Sequence, residues 1–258
     1  MSDITDQAAE YNRRTWDSFR RQRDEGLSKW RSDSAEDILR GRPYLRPEYI
    51  ELAGDVSGKR LLDMGCGEAA ETCEWARLGA EVVGVDNSPK QIEAGRRNAE
   101  KLGISCRLIC ADLLRLPDEL LQGEFDIVYS SWVTAWVGDK NGWFGDVCRA
   151  LKPGGAFLLG GGHPLAELIR ESEEGNEVQS YFAEGPHHIE SNSRNIFNPA
   201  GDFIKSIEWT HTLGTIVTAV AQSGLRITHL LEHPPSKEEE CRIKGMPAGF
   251  ILRAVKDG

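Results

Sequence analysis

The sequence predicts an α/β protein built around a parallel sheet, on three observations. Between Lys59 and Gly162 short β-rich runs alternate with helical patterns, the order expected when each parallel crossover takes a helix. Glycines cluster where the first run meets the first helix, in Asp63-Met64-Gly65-Cys66-Gly67-Glu68-Ala69-Ala70. An acid, Asp86, stands at the tip of the second run.

Taken in order, Arg60 to Met64 reads as the first strand. Glu68 to Leu78 reads as a helix, with Ala69, Cys73 and Ala76 on one face and Gly79 at its end. Glu81 to Val85 is the second strand. Ser88-Pro89-Lys90-Gln91 opens the next helix as a capping box with proline at its first position, and Gly103 stops it. Ser105 to Cys110 and Glu124 to Ser130 are the third and fourth strands. Trp143, Val147 and Leu151 mark a helix ended by Pro153-Gly154, and Ala156 to Leu159 is the fifth strand.

The flanks differ. Residues 1–57 are polar and helix-leaning, with Tyr11, Trp16 and Phe19 as scattered anchors, and are expected to form an N-terminal helical cap on a main domain of residues 58–258. From about 164 to 210 the alternation breaks. Asn198-Pro199-Ala200-Gly201-Asp202 is a strong turn between two strand-like runs, so the segment reads as an inserted hairpin after a helix. A helix over 211–223 and strands at Arg226–Leu231 and Gly249–Val255 complete the chain.

Composition narrows the class. The 258 residues carry 31 Lys+Arg against 41 Asp+Glu, a formal charge of −10, which argues against a nucleic-acid partner because phosphate contacts need surplus cations. Six cysteines show no C-x-x-C spacing, and Cys106 and Cys110 lie in an apolar run where a buried thiol is ordinary. The polar, acidic N-terminus does not read as a signal peptide, and no run approaches 18 apolar residues. A reduced, cytoplasmic chain without a membrane partner is expected.

The glycine cluster allows a tight turn and close ligand approach at a helix N-terminus. Asp86 lies where a carboxylate accepts bonds from ribose hydroxyls. Alone this is ambiguous, since Gly65-x-Gly67-x-x-Ala70 also fits a dinucleotide-binding turn. Four features decide against a nicotinamide or flavin enzyme. Asp63, two positions before Gly65, suits an ammonium or sulfonium and repels a pyrophosphate. Asp112 and the Leu113 amide offer the acceptor and donor that match the adenine edge. Phe125 to Ser130 and Leu151-Lys152-Pro153-Gly154-Gly155 continue the series, and no Tyr-x-x-x-Lys pair is present.

These segments resemble the class I S-adenosylmethionine-dependent methyltransferases. The resemblance is carried by LLDMGCGEAAE from Leu61, VVGVDNS from Val82, ADLLRLP from Ala111, FDIVYSS from Phe125 and LKPGG from Leu151. It implies a Rossmann-like, doubly wound sheet of seven strands whose last two form a reversed hairpin. It also implies S-adenosyl-L-methionine as cofactor. Gly65 and Gly67 would approach its methionine part with Asp63 near the ammonium, Asp86 would hold the ribose, and Asp112 and Leu113 the adenine. Ser130 would face the methionine moiety and Asn87 flank the adenosine. Ala69 departs from the family, which usually has a third glycine there; one methyl at a helix start is expected to be tolerated.

Tyr11 and Trp16 are expected either to close an N-terminal helix over the cofactor, as in related enzymes, or simply to anchor that helix. Trp132 and Trp136 either wall the acceptor pocket or pack in the core, and Asp126 reads as structural. Methyl transfer from a sulfonium is an in-line displacement that leaves a neutral product, so alignment and exclusion of water are the main requirements. A general base is needed only for an acceptor that sheds a proton. His163, just beyond the fifth strand, is the candidate, its alternative being a turn cap. The insertion, with Tyr181, Phe182 and Phe203, suits a lid. His187, His188 and Glu190 lack a third ligand and are expected to be a solvated loop, so no metal is anticipated. His211 is expected to cap the helix after it. Asn-Pro-Pro-Tyr and Pro-Cys are absent. The leading expectation is an enzyme methylating a small molecule on oxygen, nitrogen or carbon; a noncatalytic adenosylmethionine-binding protein and a protein or tRNA methyltransferase are the alternatives.

Overall fold

The computed structural model describes residues 2–27, 33–166, 180–190, 205–234 and 245–258. Three helices come first: α1 (Ser2–Asp24), α2 (Ser34–Leu39) and α3 (Pro47–Ala53). The main domain follows as β1 (Arg60–Met64), α4 (Ala70–Arg77), β2 (Glu81–Asp86), α5 (Pro89–Leu102), β3 (Arg107–Cys110), β4 (Phe125–Ser131), α6 (Lys140–Ala150) and β5 (Leu151–Gly162). A separate two-stranded sheet, β6 (His187–Glu190) with β7 (Lys205–Glu208), precedes α7 (Leu213–Gln222), β8 (Leu225–His233) and β9 (Gly249–Lys256).

The seven-stranded sheet has the order β3-β2-β1-β4-β5-β9-β8. Strands β1 to β5 are parallel, and β9 runs antiparallel between β5 and β8. This is the doubly wound, Rossmann-like arrangement with a reversed terminal hairpin. Strand β1 is central and covered on both faces, which explains why Leu61, Leu62 and Met64 are apolar on both sides of it. Leu61, Leu62 and Met64 are fully buried, and each such burial stabilises by roughly 1.5–3 kcal/mol. Order reverses at β1, between β2 and β4, so a crevice opens beyond the C-terminal tips of these strands.

Helix α5 begins as its sequence requires, with Ser88 Oγ accepting from the Gln91 amide at 3.1 Å and Gly103 left-handed at its end. Two expectations are corrected. Helix α6 ends at Ala150, and Leu151 already pairs with Phe125 as the start of β5, so Pro153-Gly154 lies inside a strand. Lys256 satisfies carbonyls at this end, its Nζ donating to those of Cys148 and Leu151 at 2.7 and 2.8 Å. His211 does not cap α7. Thr212 does, through Oγ1 and the Thr215 amide at 3.0 Å, while His211 Nε2 lies buried 2.9 Å from the Val137 carbonyl. Burial lowers the His211 pKa.

Within the inserted segment β6 and β7 pair antiparallel, with His187 opposite Glu208 and His188 opposite Ile207. His187 and His188 therefore belong to a strand rather than a solvated loop. The turn Asn198–Asp202, Phe203 and Cys241 lie outside the described residues. Among the described residues no helix is long and apolar enough to cross a membrane, and no three His, Cys, Asp or Glu side chains converge to hold a metal ion.

Candidate functional site

The floor of the crevice is the turn after β1. Asp63 faces α4, only 2% exposed, and accepts from Thr72 Oγ1 at 2.6 Å. Burial pushes its pKa up to about 7; the Thr72 bond opposes this and Asp86 adds repulsion. The amides of Gly65 and Cys66 both donate to the Val85 carbonyl, at 2.8 and 3.0 Å, which folds the turn back onto β2. Gly65 has φ +89°, and a β-carbon there would run into the Val133 side chain. Ala69 has φ +60° at the start of α4. The methyl is therefore not simply tolerated, because left-handed backbone costs an alanine about 1–2 kcal/mol.

At the tip of β2, Asp86 accepts from the Gly67 amide through Oδ2 and from the Ser88 amide through Oδ1, each at 2.9 Å. Burial still holds its pKa up at about 6, against those two bonds. Asn87 Nδ2 donates to the Ala9 carbonyl at 3.4 Å. Beyond β3, Asp112 Oδ1 accepts from the Leu114 amide at 3.0 Å, and Leu113 is buried. Asp63, Gly65, Gly67, Asp86, Asn87, Asp112 and Leu113 thus gather at the tips of three adjacent strands. Ser130 behaves differently. Its hydroxyl donates to the Met64 carbonyl at 2.6 Å within the sheet. Asp126 is structural, binding the Arg60 amide and Lys152 Nζ at 2.9 and 2.8 Å.

Helix α1 forms the roof. Its inward stripe contains Ala8, Asn12, Thr15, Phe19, Arg20 and Arg23. Arg20 and Arg23 converge on Glu68 of the glycine turn, the Arg23 contact being 2.8 Å, and all three side chains are buried. Asp17 Oδ1 accepts from Ser88 Oγ at 2.7 Å and the Lys90 amide at 3.2 Å. Asn12 pairs with both backbone groups of Ile207 on β7, its Oδ1 accepting at 2.9 Å and its Nδ2 donating at 2.6 Å. Trp16 packs edge-on against Trp136 and Phe19, with ring centroids 5.0 and 5.3 Å apart, while Tyr11 is 37% exposed. Sequence reasoning passed over Asn12, Asp17, Arg20, Arg23 and Glu68. Polar residues on the inward side of a helix were the available signal.

On the acceptor side, Trp132 ends β4 with φ +61°, its amide donating to the Gly160 carbonyl at 2.9 Å and its side chain 56% exposed. Core packing is therefore not its role. His163 is buried beyond β5. Its Nδ1 accepts from the Leu165 amide at 3.2 Å, so the proton sits on Nε2, 3.0 Å from Glu232 Oε1. The ring caps the helical turn at 164–166.

A family model described as a methyltransferase domain matches residues 55–219. The chain is 26% identical over 164 residues to a sterol 4-C-methyltransferase of Caenorhabditis elegans, covering 63% of this chain and 46% of that protein. It is 41% identical over 106 residues to a ubiquinone biosynthesis O-methyltransferase of Bradyrhizobium sp., covering 40% of each. The chain thus spans less than half the length of these curated relatives. An S-adenosylmethionine-dependent methyltransferase structure from Mesorhizobium loti is 27% identical with a TM-score of 0.64, over 81% of this chain and 96% of that one.

Proposed function

The chain belongs to the methyltransferase-domain family, and on that premise we propose that it transfers a methyl group from S-adenosyl-L-methionine to a small-molecule acceptor. The observation that carries this reading is the floor of the crevice. Asp63 is buried, has no ion pair among the described residues, and lies beside a turn where a β-carbon at Gly67 would meet nothing within 4 Å. A buried carboxylate without a cation is costly, and an ammonium-bearing ligand relieves that cost. Such a site fits the cofactor.

In the proposed arrangement Asp63, Gly65 and Gly67 hold the methionine part, Asp86 with Asn87 the ribose side, and Asp112 with Leu113 the adenine. Ser130 positions this part indirectly, by fixing the Met64 carbonyl at the end of β1. Tyr11 and Trp16 close the roof as part of the helical cap of residues 1–57. When bound, S-adenosylmethionine supplies an electrophilic methyl carbon on a sulfonium. The chain's own task is to orient the acceptor and keep water out, which in favourable cases lowers a barrier by about 7–11 kcal/mol. Trp132, exposed at the tip of β4 next to the glycine turn, walls the acceptor side. For an acceptor that sheds a proton, His163 is the proposed base, acting from a conformer in which Nδ1 has left the Leu165 amide. The relatives named for sterol and ubiquinone chemistry support a small, largely apolar acceptor, and the −10 charge supports an acceptor other than nucleic acid.

Calorimetry with adenosylmethionine, followed by a mass-shift screen of metabolite pools, tests the proposal. Binding and a +14 product are expected, and Asp86→Ala is expected to lose about 100-fold in cofactor affinity, the scale of charge-assisted hydrogen bonds to two hydroxyls. Binding with no methylated product across a broad screen would favour a noncatalytic adenosylmethionine-binding protein. Near-normal binding by Asp86→Ala would remove the ribose assignment.

A further inference from the structure

Glu71, in the first turn of α4, is a carboxylate to which the reading above gives no task. Its neighbours fix its position. Thr72, the next residue, bonds Asp63. Trp75, one turn further, packs edge-on against Tyr129 with ring centroids 5.5 Å apart. Tyr129 in turn pairs with Asp63 across β4 and β1. Glu71 therefore sits over the corner between Asp63 and Tyr129, and it keeps partial access to solvent.

That corner lacks a positive charge. Among the described residues neither Asp63 nor Glu71 has an ion-pair partner. The Tyr129 hydroxyl and Ser131 Oγ are fully buried there without a partner in hydrogen-bond geometry. The groups facing Glu71 are Asp63 from β1, with Asp86 behind it from β2, Tyr129 from β4, Tyr49 from α3 and Glu74 from its own helix. The cations acting on members of this set lie at its edge: Arg46 behind Tyr49, its guanidinium held by Glu48 at 3.2 Å, and Arg77 beside Glu74. Burial pushes the Glu71 pKa up to about 8, Asp63 adds repulsion, and the nearby Tyr129 hydroxyl opposes both. An ordinary first-turn glutamate would point into solvent and favour the helix dipole; this one is half-buried beside a second acid and the buried Tyr129 hydroxyl.

We propose that Glu71 joins Asp63 as a second carboxylate of the seat for the cofactor's α-ammonium, and that filling the seat releases a proton to solvent. Without ligand the two acids hold at least one proton between them at neutral pH, because adjacent buried carboxylates do not both ionise readily. A cation arriving between them favours both ionised forms. The proposal rests on the S-adenosylmethionine reading and assigns a task to a residue that reading leaves out.

Titration calorimetry of the full chain between about pH 7 and pH 8, the raised values of the two acids, in buffers of different ionisation enthalpy, tests it. S-adenosylhomocysteine carries the ammonium; 5′-methylthioadenosine has the same adenosine without it, so any proton from Asp86 cancels between them. S-adenosylhomocysteine is expected to release more protons than methylthioadenosine. Glu71→Gln is expected to shrink that excess and to weaken S-adenosylhomocysteine about tenfold, the scale of one charge-assisted bond, leaving methylthioadenosine unchanged. A wild type with no excess, or a Glu71→Gln variant with unchanged excess and affinity, overturns the proposal. If neither ligand binds wild type, the cofactor reading itself fails. If Glu71→Gln also loses methylthioadenosine, its fold is compromised, and wild-type infrared difference spectra decide. Loss of a protonated-carboxyl band with S-adenosylhomocysteine alone supports the seat, and an unchanged band overturns it.

Discussion

The floor and the roof of the crevice handle charge in opposite ways. In the floor, Asp63, Glu71 and Asp86 are held by hydroxyl and amide donors or left without a partner, and burial raises all three above the usual carboxylate range. In the roof, Glu68 meets Arg20 and Arg23, and Asp17 meets the capped start of α5. The roof carboxylates meet arginines or amides within the fold, whereas the floor acids have no ion pair among the described residues. On the function proposed above, the difference separates groups that hold the fold together from groups that take the ligand.

The largest expected effect breaks the roof. Glu68→Ala leaves Arg20 and Arg23 buried without their shared carboxylate, and loss of one member of a buried pair costs about 3–5 kcal/mol. Denaturant unfolding should show that loss, and limited proteolysis should show α1 cleaved early. A variant as stable and as resistant as wild type would mean that the ion pairs do not hold the roof.

A middle-sized effect concerns the floor without ligand. Its acids bind protons more tightly folded than unfolded, so their contribution is fully present near and below about pH 4 and is lost as pH rises toward the folded values of about 6 to 8. The ligand-free protein should lose stability across that window, read as a Tm that falls as pH rises. S-adenosylhomocysteine should flatten the slope, and Asp63→Asn should do so without ligand. A ligand-free Tm that is level or rises over the same window would contradict the contrast between floor and roof.

The smallest effect sharpens the floor's geometry. Ala69→Gly relieves left-handed strain of about 1–2 kcal/mol. It also removes a fully buried methyl worth about 0.8 kcal/mol and adds chain entropy worth roughly 0.5–1 kcal/mol. The two sides nearly cancel, so stability should stay within about 1 kcal/mol of wild type. A larger gain in thermal denaturation would show that strain dominates at this turn.

Much of this molecule is legible in its amino-acid order because the information is local. Alternating apolar runs placed β1, β2 and β4, and Ser88-Pro89 placed the start of α5, since a buried strand and a capped helix each leave a signature within a few residues. Gly65 and Asp86 were legible for the same reason: a left-handed turn position and an acid just past an apolar strand are marked within a few residues. Where the sequence misled, a distant partner decided. Leu151 left α6 to pair with Phe125, its carbonyl taken by Lys256 from the far end of the chain, and His211 turned to Val137 rather than to its own helix.

By itself, then, the sequence determined the doubly wound sheet, the glycine turn and the row of acids at the strand tips. The tertiary structure alone decided which acids were paired. Glu68 and Glu71 are three residues apart on the same turn and helix start, and no local rule distinguishes them. One meets two arginines from α1; the other lies beside Asp63 and the buried Tyr129 hydroxyl. Charge neutralisation acts through space, so whether an acid supports the fold or awaits a ligand depends on what packing brings beside it.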